Sequence, residues 1–166
     1  MSKLTRLVAV GAVGVVAAVS TAGVSAIAAP SQYQPQPPSY RDTATSAATS
    51  ISKAIAAKSV SAVLAKNGIK LPISTLAAGI YAVKLSGKLP GNSLETLSTG
   101  TLKVKTGGAT TGTVSLKTTS DGAFFLKNRS KFGKAKTIAI KVSLGFTATG
   151  ASSAYPVAQQ STVKNS

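Results

Sequence analysis

The sequence contains no cysteine and no histidine, and these two absences exclude several kinds of chemistry. Zinc and transition-metal sites in proteins are built largely from cysteine and histidine ligands, so no such site is expected. A chain without cysteine also has no disulfide bond and no thiol nucleophile, and it depends on its apolar core for stability. We therefore expect neither a metal nor an organic cofactor.

Acidic residues are almost as scarce, since Asp42, Glu95 and Asp121 are the only carboxylate side chains. General acid–base catalysis usually relies on histidine, aspartate or glutamate. The three acids belong to separate segments, so a catalytic pair would require convergence over long stretches of chain. There is also no Asp-rich loop of the kind that binds Ca²⁺. The sequence predicts a protein that is not an enzyme, and an uncharacterised enzymatic activity is the last alternative.

Positive charge, by contrast, is abundant. Nineteen lysines and arginines against three acids give a formal net charge of +16, and the isoelectric point is about 10.5. A chain this basic is a polycation at neutral pH. Anionic polymers are therefore the partners that its charge favours.

The first residues have the pattern of an export signal. Lys3 and Arg6 precede an uncharged apolar run over residues 7–24, and Ala26 and Ala28 are the small residues that a signal peptidase prefers before its cut. The alternative is an uncleaved membrane anchor, because about twenty apolar residues can span a bilayer. This run consists mainly of Ala, Val and Gly, which are weakly hydrophobic, so cleavage is favoured and the protein is expected to be secreted or held at the cell surface.

The composition divides the rest of the chain. Residues 1–28 are interpreted as the signal peptide, 29–41 as a Pro/Gln-rich linker, 42–67 as a helical segment and 68–166 as a β-sandwich domain. Removal of the signal peptide leaves 138 residues with 17 basic and 3 acidic side chains, a formal net charge of +14.

The segment before residue 68 predicts one amphipathic helix over roughly residues 45–66. Asp42 can cap its start, small and branched apolar residues recur at helical spacing, and Asn67–Gly68 provides a stop signal. A basic helix can lie on a membrane surface, but this usually requires bulky apolar residues. Packing against the following domain is therefore favoured. The polar face carries Lys53, Lys58 and Lys66.

After residue 68 the period of the pattern changes to two, which is typical of half-buried strands. The most regular example runs from Ile138 to Phe146, and Pro72 assigns the first strand to a sheet edge because proline cannot donate to a ladder. Several such strands at short spacing predict a sandwich or a barrel. Residues 120–131 interrupt the pattern and predict a short helical turn that closes one end of it.

Five successive stretches resemble a known family: LAKNGIKLPI, GIYAVKL, GTLKVKTGG, TVSLKTTSDGAFFLKN and KAKTIAIKVSLGFTATG. Their order is similar to that of the lysine-rich immunoglobulin-like modules of secreted and cell-surface proteins from high-GC Gram-positive bacteria, over about residues 52–165. The resemblance implies an immunoglobulin-like antiparallel β-sandwich preceded by one α-helix, with a short helical turn between late strands. Tyr81 departs from the Trp-Tyr pair that some members carry. The family has no agreed ligand, so function stays open.

The basic residues are the feature with the clearest functional content. One interpretation is a site for anionic polymers, namely wall phosphate polymers or polysaccharide; nucleic acid is disfavoured because the chain is exported and shows no aromatic base-stacking pattern. The other interpretation is a non-catalytic structural or adhesive module whose outward lysines protect sheet edges. The candidate polyanion-binding residues are Lys127, Arg129, Lys131, Lys134 and Lys136, and the lysines expected at outward strand positions are Lys70, Lys84, Lys103, Lys105, Lys117 and Lys141.

Three fragments imitate the serine β-lactamase motifs. Ser50 to Lys53 matches S-x-x-K, Lys105 to Gly107 matches K-T-G, and Ser120 to Gly122 approaches S-D-N. The chain is far too short for that fold, and such short matches arise by chance in a sequence rich in Ser, Thr, Lys and Gly. We therefore interpret all three as accidental.

The mature protein is expected to begin at Ala29, because a cut after Ala29 would leave Pro30 at the new N-terminus, which signal peptidases disfavour. The intact mass of secreted material measures this directly. A full-length product in the membrane fraction would instead indicate an anchored protein.

Overall fold

The computed structural model describes residues 39–88, 93–105, 110–132 and 135–166. The predicted signal peptide and almost all of the predicted linker lie outside these residues. The helices are α1 (Tyr40–Ala56), α2 (Val60–Val63) and α3 (Ser120–Lys127), followed by a 3₁₀ turn (Arg129–Phe132). The strands are β1 (Ile69–Thr75), β2 (Gly79–Lys88), β3 (Leu94–Val104), β4 (Thr110–Thr118), β5 (Thr137–Ala148) and β6 (Tyr155–Lys164).

Helix α1 differs from the predicted helix at both ends. It starts at Tyr40, where the Ser39 hydroxyl accepts a hydrogen bond from the Asp42 amide at 3.1 Å. It ends at Ala56 because the next carbonyls have other partners: the Lys58 carbonyl accepts from the amide of Lys164, at the end of β6, at 3.1 Å. Ser59 then caps the separate helix α2. One predicted helix is thus two, divided by a contact with a distant strand.

The strands form one antiparallel sheet in the order β1–β4–β3–β2–β5–β6. Strand β5 is the central example of the predicted alternation, since its large apolar residues are all buried, namely Ile138, Ile140, Val142, Leu144 and Phe146. Strand β1 lies at one edge, as Pro72 predicted. The expectation of a mainly β, antiparallel fold after one long helix is confirmed.

An immunoglobulin-like sandwich is not confirmed, because the described strands form a single sheet. Helix α1 contacts β1, at one edge, together with β5 and β6, at the other edge. A flat sheet of six strands would place its edges about 24 Å apart, too far for a helix about 10 Å wide. The sheet is therefore curled into a half-barrel, and α1 fills the position that a sandwich gives to a second sheet.

The buried face of α1 is made largely of small residues. Ala44, Ala47 and Ala48 are completely buried, as are Ile51 and Ile55 one and two turns further along. Alanine allows the helix backbone to approach the sheet closely and is the best helix former. The high alanine content of this segment thus serves both helix formation and the narrow space inside the curled sheet.

Hydrogen bonds join α1 to both edges of the sheet. On one side, the Ser50 hydroxyl accepts from the amide of Ser74, in β1, at 2.9 Å. On the other side, the hydroxyl of Ser161, in β6, donates to the Ser52 carbonyl at 2.9 Å. The side-chain amide of Gln159, in β6, also donates to the Thr49 hydroxyl at 2.8 Å. In β1 the bonded group is the backbone amide of Ser74, whereas in β6 the donors are the side chains of Gln159 and Ser161.

An aromatic row connects the start of α1 to the centre of the sheet. The rings of Tyr40 and Phe146 lie 5.8 Å apart edge to face, and those of Phe146 and Tyr81 lie 4.8 Å apart. The buried Tyr81 hydroxyl donates to the Ala77 carbonyl at 2.7 Å. Burial raises the pKa of Tyr81, an effect opposed by hydrogen bonds that the phenol oxygen accepts from backbone amides, such as that of Ala77 at 3.3 Å. This phenol is therefore a structural group.

Helix α3 closes one end of the half-barrel, as the sequence predicted for a helical turn in this region. Its Phe125 is completely buried, and Gly122 lies directly against β3. A Cβ atom at Gly122 would come within 2.1 Å of the Leu97 carbonyl oxygen, so only glycine permits this approach. Residues 128–136 form the connection from α3 to β5.

Replacement of Thr43 by valine is expected to stabilise the protein. Thr43 is completely buried, and its hydroxyl has no hydrogen-bond partner in the described part of the chain. Valine has the same shape and removes the unsatisfied hydroxyl, so the free energy of unfolding should rise by about 1 kcal/mol. Urea denaturation of Thr43→Val measures the change. Thr45→Val, at an exposed position of the same helix, is the control and should change stability by less than about 0.5 kcal/mol. A loss of stability in Thr43→Val would show that the hydroxyl has a partner in solution.

Candidate functional site

The connection from α3 to β5 carries the five basic residues predicted as a polyanion site. Helix α3 is held at its start by Thr119, whose hydroxyl accepts from the Gly122 amide at 3.0 Å and donates to the Thr96 carbonyl at 2.5 Å. Lys127 lies in the last turn of this helix and is exposed. Lys131 and Lys136 are also exposed. Lys134 lies outside the described residues.

Arg129 differs from the neighbouring lysines because its side chain is half-buried and hydrogen-bonded. Its guanidinium group donates to the hydroxyl of Ser61, in α2, and that hydroxyl donates to the Ser166 carbonyl oxygen at 2.8 Å. The Asn165 amide in turn donates to the Lys136 carbonyl at 2.9 Å. This connection therefore fastens the residues that follow β6. The Arg129 side chain is used in this contact, so the cations that this connection presents to solvent are its exposed lysines.

A second basic surface lies on the convex face of the sheet, the face opposite α1. Five of the six lysines that the sequence assigned to outward strand positions lie there, and all of these except the half-buried Lys141 are exposed. The sixth, Lys105, is exposed but follows the end of β3 and is not a strand residue. Their neighbours on the strands are mostly threonine, serine and alanine, which leave the ammonium groups accessible. We call this surface the lysine face; it consists of Lys70, Lys84, Lys103, Lys117 and Lys141 with the outward residues between them.

The strand register brings three of these lysines together. Lys84 and Lys117 lie in one row across the sheet, on either side of Thr99. Two strand spacings separate them, so their backbones are about 10 Å apart. Lys141 lies opposite Ser86 and is therefore a diagonal neighbour of Lys84, at about 7–8 Å. We refer to Lys84, Lys117 and Lys141 as the lysine triad.

The carboxylates do not balance this charge. Asp42 and Asp121 lie in the first turns of α1 and α3, where a negative charge interacts favourably with the helix dipole. Glu95, in the first part of β3, is the only acid in the sheet strands. Within the described residues, which include all three acids, no group of three His, Cys, Asp or Glu side chains could hold a metal ion. Two of the three acids thus have a structural role at the start of a helix.

The serine of the S-x-x-K motif has a structural partner. The Ser50 hydroxyl donates to the Ala47 carbonyl at 2.9 Å while it accepts from the Ser74 amide. It therefore lies between the helix and β1 and holds the two together. The second and third residues of the K-T-G fragment lie outside the described residues.

The sequence matches no protein-family model and no curated protein. Within the part of the chain that the structure describes, no helix is both long enough and apolar enough to cross a membrane.

Sequence patterns identified the outward lysines one at a time but did not group them. Alternation along a strand tells which residues share a face, whereas proximity across strands depends on the order and register of the strands. The triad combines residues from β2, β4 and β5, and no local pattern gives that combination. Only a signal for strand pairing could have identified it from the sequence.

Proposed function

We propose that this is a secreted, non-catalytic adhesive protein that binds anionic polymers outside the cell through its lysine face. Wall phosphate polymers and acidic polysaccharides are the ligand class that this chemistry favours. The observation that carries the proposal is the lysine triad, three cations held at fixed spacing on a convex surface where only one acid lies in the strands.

The spacing of the triad supports a polymer as the ligand. The backbones of Lys117 and Lys141 each lie about 7–10 Å from that of Lys84, roughly one Debye length at physiological ionic strength, so their ammonium groups repel that of Lys84 in the free protein. A dense polyanion presents charges every few ångströms and can neutralise all three lysines together. Because the lysines occupy a rigid sheet, the repulsion is present before binding and is relieved by it.

A purely structural module is the second candidate. Lys70, the exposed lysine of β1, discourages pairing of this edge with another chain, which is a sufficient reason for lysine at an edge. Lys84 and Lys141 lie on β2 and β5, which are paired on both sides. Edge protection does not account for lysines in the interior of the sheet, and for this reason we favour binding.

A relationship to the lysine-rich immunoglobulin-like modules is also a proposal. It is supported by the order of a basic helix, alternating strands, a short helix after β4 and a long strand β5. In this chain α1 would take the place of one layer of the sandwich. Such a relationship would agree with a location at the cell surface.

The salt dependence of binding tests the proposed site. Linear polyphosphate is the probe, and the dissociation constant is measured over a range of salt concentrations for the protein without residues 1–28. The variant Lys84→Gln/Lys117→Gln/Lys141→Gln should reduce the slope of log affinity against log salt by about 2–3, because each lost phosphate contact removes roughly 0.9 from the slope for a dense polyanion.

The matched control changes three lysines of the connection, Lys131, Lys134 and Lys136, to glutamine. The net charge of both variants is the same, so diffuse attraction would lower both slopes equally and would contradict a site on the sheet. A larger loss in the control would instead place the site in the 127–136 connection. Absence of polyphosphate binding at physiological salt would favour the structural module.

A further inference from the structure

A groove separates the segment after α2 from helix α3, on the side of the molecule where α3 closes the half-barrel. Its volume is about 390 Å³. Leu64 is buried in its floor and Leu126 is half-buried, so the interior is mainly apolar. Two exposed lysines lie at its margin, one from each wall. The lining residues are Leu64, Lys66, Thr118, Ala123, Leu126 and Lys127.

The walls of this groove are fixed by the fold. The Thr118 hydroxyl donates to the Ala65 carbonyl at 2.9 Å and so joins the end of β4 to the segment after α2. The Gly68 amide donates to the same carbonyl at 2.8 Å. On the other wall, the close approach of Gly122 to Leu97 positions α3. The groove is therefore largely preformed, as small-molecule sites usually are.

Charge and apolar surface are arranged in this groove in a way that selects one type of ligand. Lys66 and Lys127 come from opposite walls, and no carboxylate lines the groove. Two ammonium groups favour an anionic head group, whereas the leucine floor favours a hydrocarbon chain.

We propose that this groove binds one anionic amphiphile, with its alkyl chain on Leu64 and Leu126 and its anionic head group between Lys66 and Lys127. The class of ligand is a single-chain carboxylate or phosphate ester. The groove involves neither the lysine triad nor the lysine face, so this inference is independent of the proposed function.

Alkyl phosphates of increasing length, used below their micelle concentrations, test the proposal by calorimetry on the protein without residues 1–28. Affinity should rise about fourfold for each methylene group until the groove is filled and should then level off. Inorganic phosphate, which has the head group alone, should bind far more weakly than decyl phosphate. Equal affinity for the two would overturn the proposal.

Three variants locate the binding site. Lys66→Gln/Lys127→Gln should weaken decyl phosphate binding about five- to tenfold and leave decanol binding unchanged. Ala123→Trp fills the groove from an exposed helix position, so it should abolish binding of both ligands while the melting temperature stays near that of the parent. Lys70→Gln/Lys131→Gln removes the same charge elsewhere and is the control. If the control weakens binding as much as the groove pair, or if Ala123→Trp binds normally, the site is not this groove.

Discussion

The curvature of the sheet depends on helix α1, which is hydrogen-bonded to both edge strands, β1 and β6. Ser50 holds β1 on one side, and Ser52 accepts from β6 on the other. If these contacts were absent, the concave face would expose its apolar residues and both edge strands would present unpaired backbone groups. The alanines at positions 44, 47 and 48 allow this arrangement because no larger side chain separates the helix from the sheet at these three positions. Burial of the concave face and attachment of both edge strands thus depend on the same helix.

This architecture separates the core from the surface that we propose to be functional. Because a helix fills the concave face, the sheet needs no second layer on its convex side. Outward positions are consequently free of packing requirements and can carry lysine, as Lys84 and Lys117 do. The strands fix the spacing of these cations more rigidly than a loop could. Arg129 illustrates the contrast, since a cation of the connection is used to hold neighbouring chain segments together.

The sequence was informative wherever the cause of a structural feature is local. Alternation identified the buried residues of β5, Pro72 identified an edge strand, and the apolar residues near Phe125 identified the plug helix. Each of these follows from side-chain period or from a missing donor.

Features with distant causes could not be read in this way. Alternating strands require a partner layer but do not specify whether it is a sheet or a helix, and so the sequence suggested a sandwich. The end of α1 depends on the bond from Lys164 to the Lys58 carbonyl, and the role of Arg129 depends on Ser61, 68 positions away. The lysine triad depends on the register of four strands, which no single segment encodes.

Amide chemical shifts during titration with linear polyphosphate at physiological salt show whether the convex face of the sheet is the binding surface. We expect the largest perturbations in the strands around Lys84, Thr99, Lys117 and Lys141, while amides of the buried face of α1 stay unchanged. Perturbations confined to residues 127–136, or no perturbation at that salt concentration, would contradict this expectation.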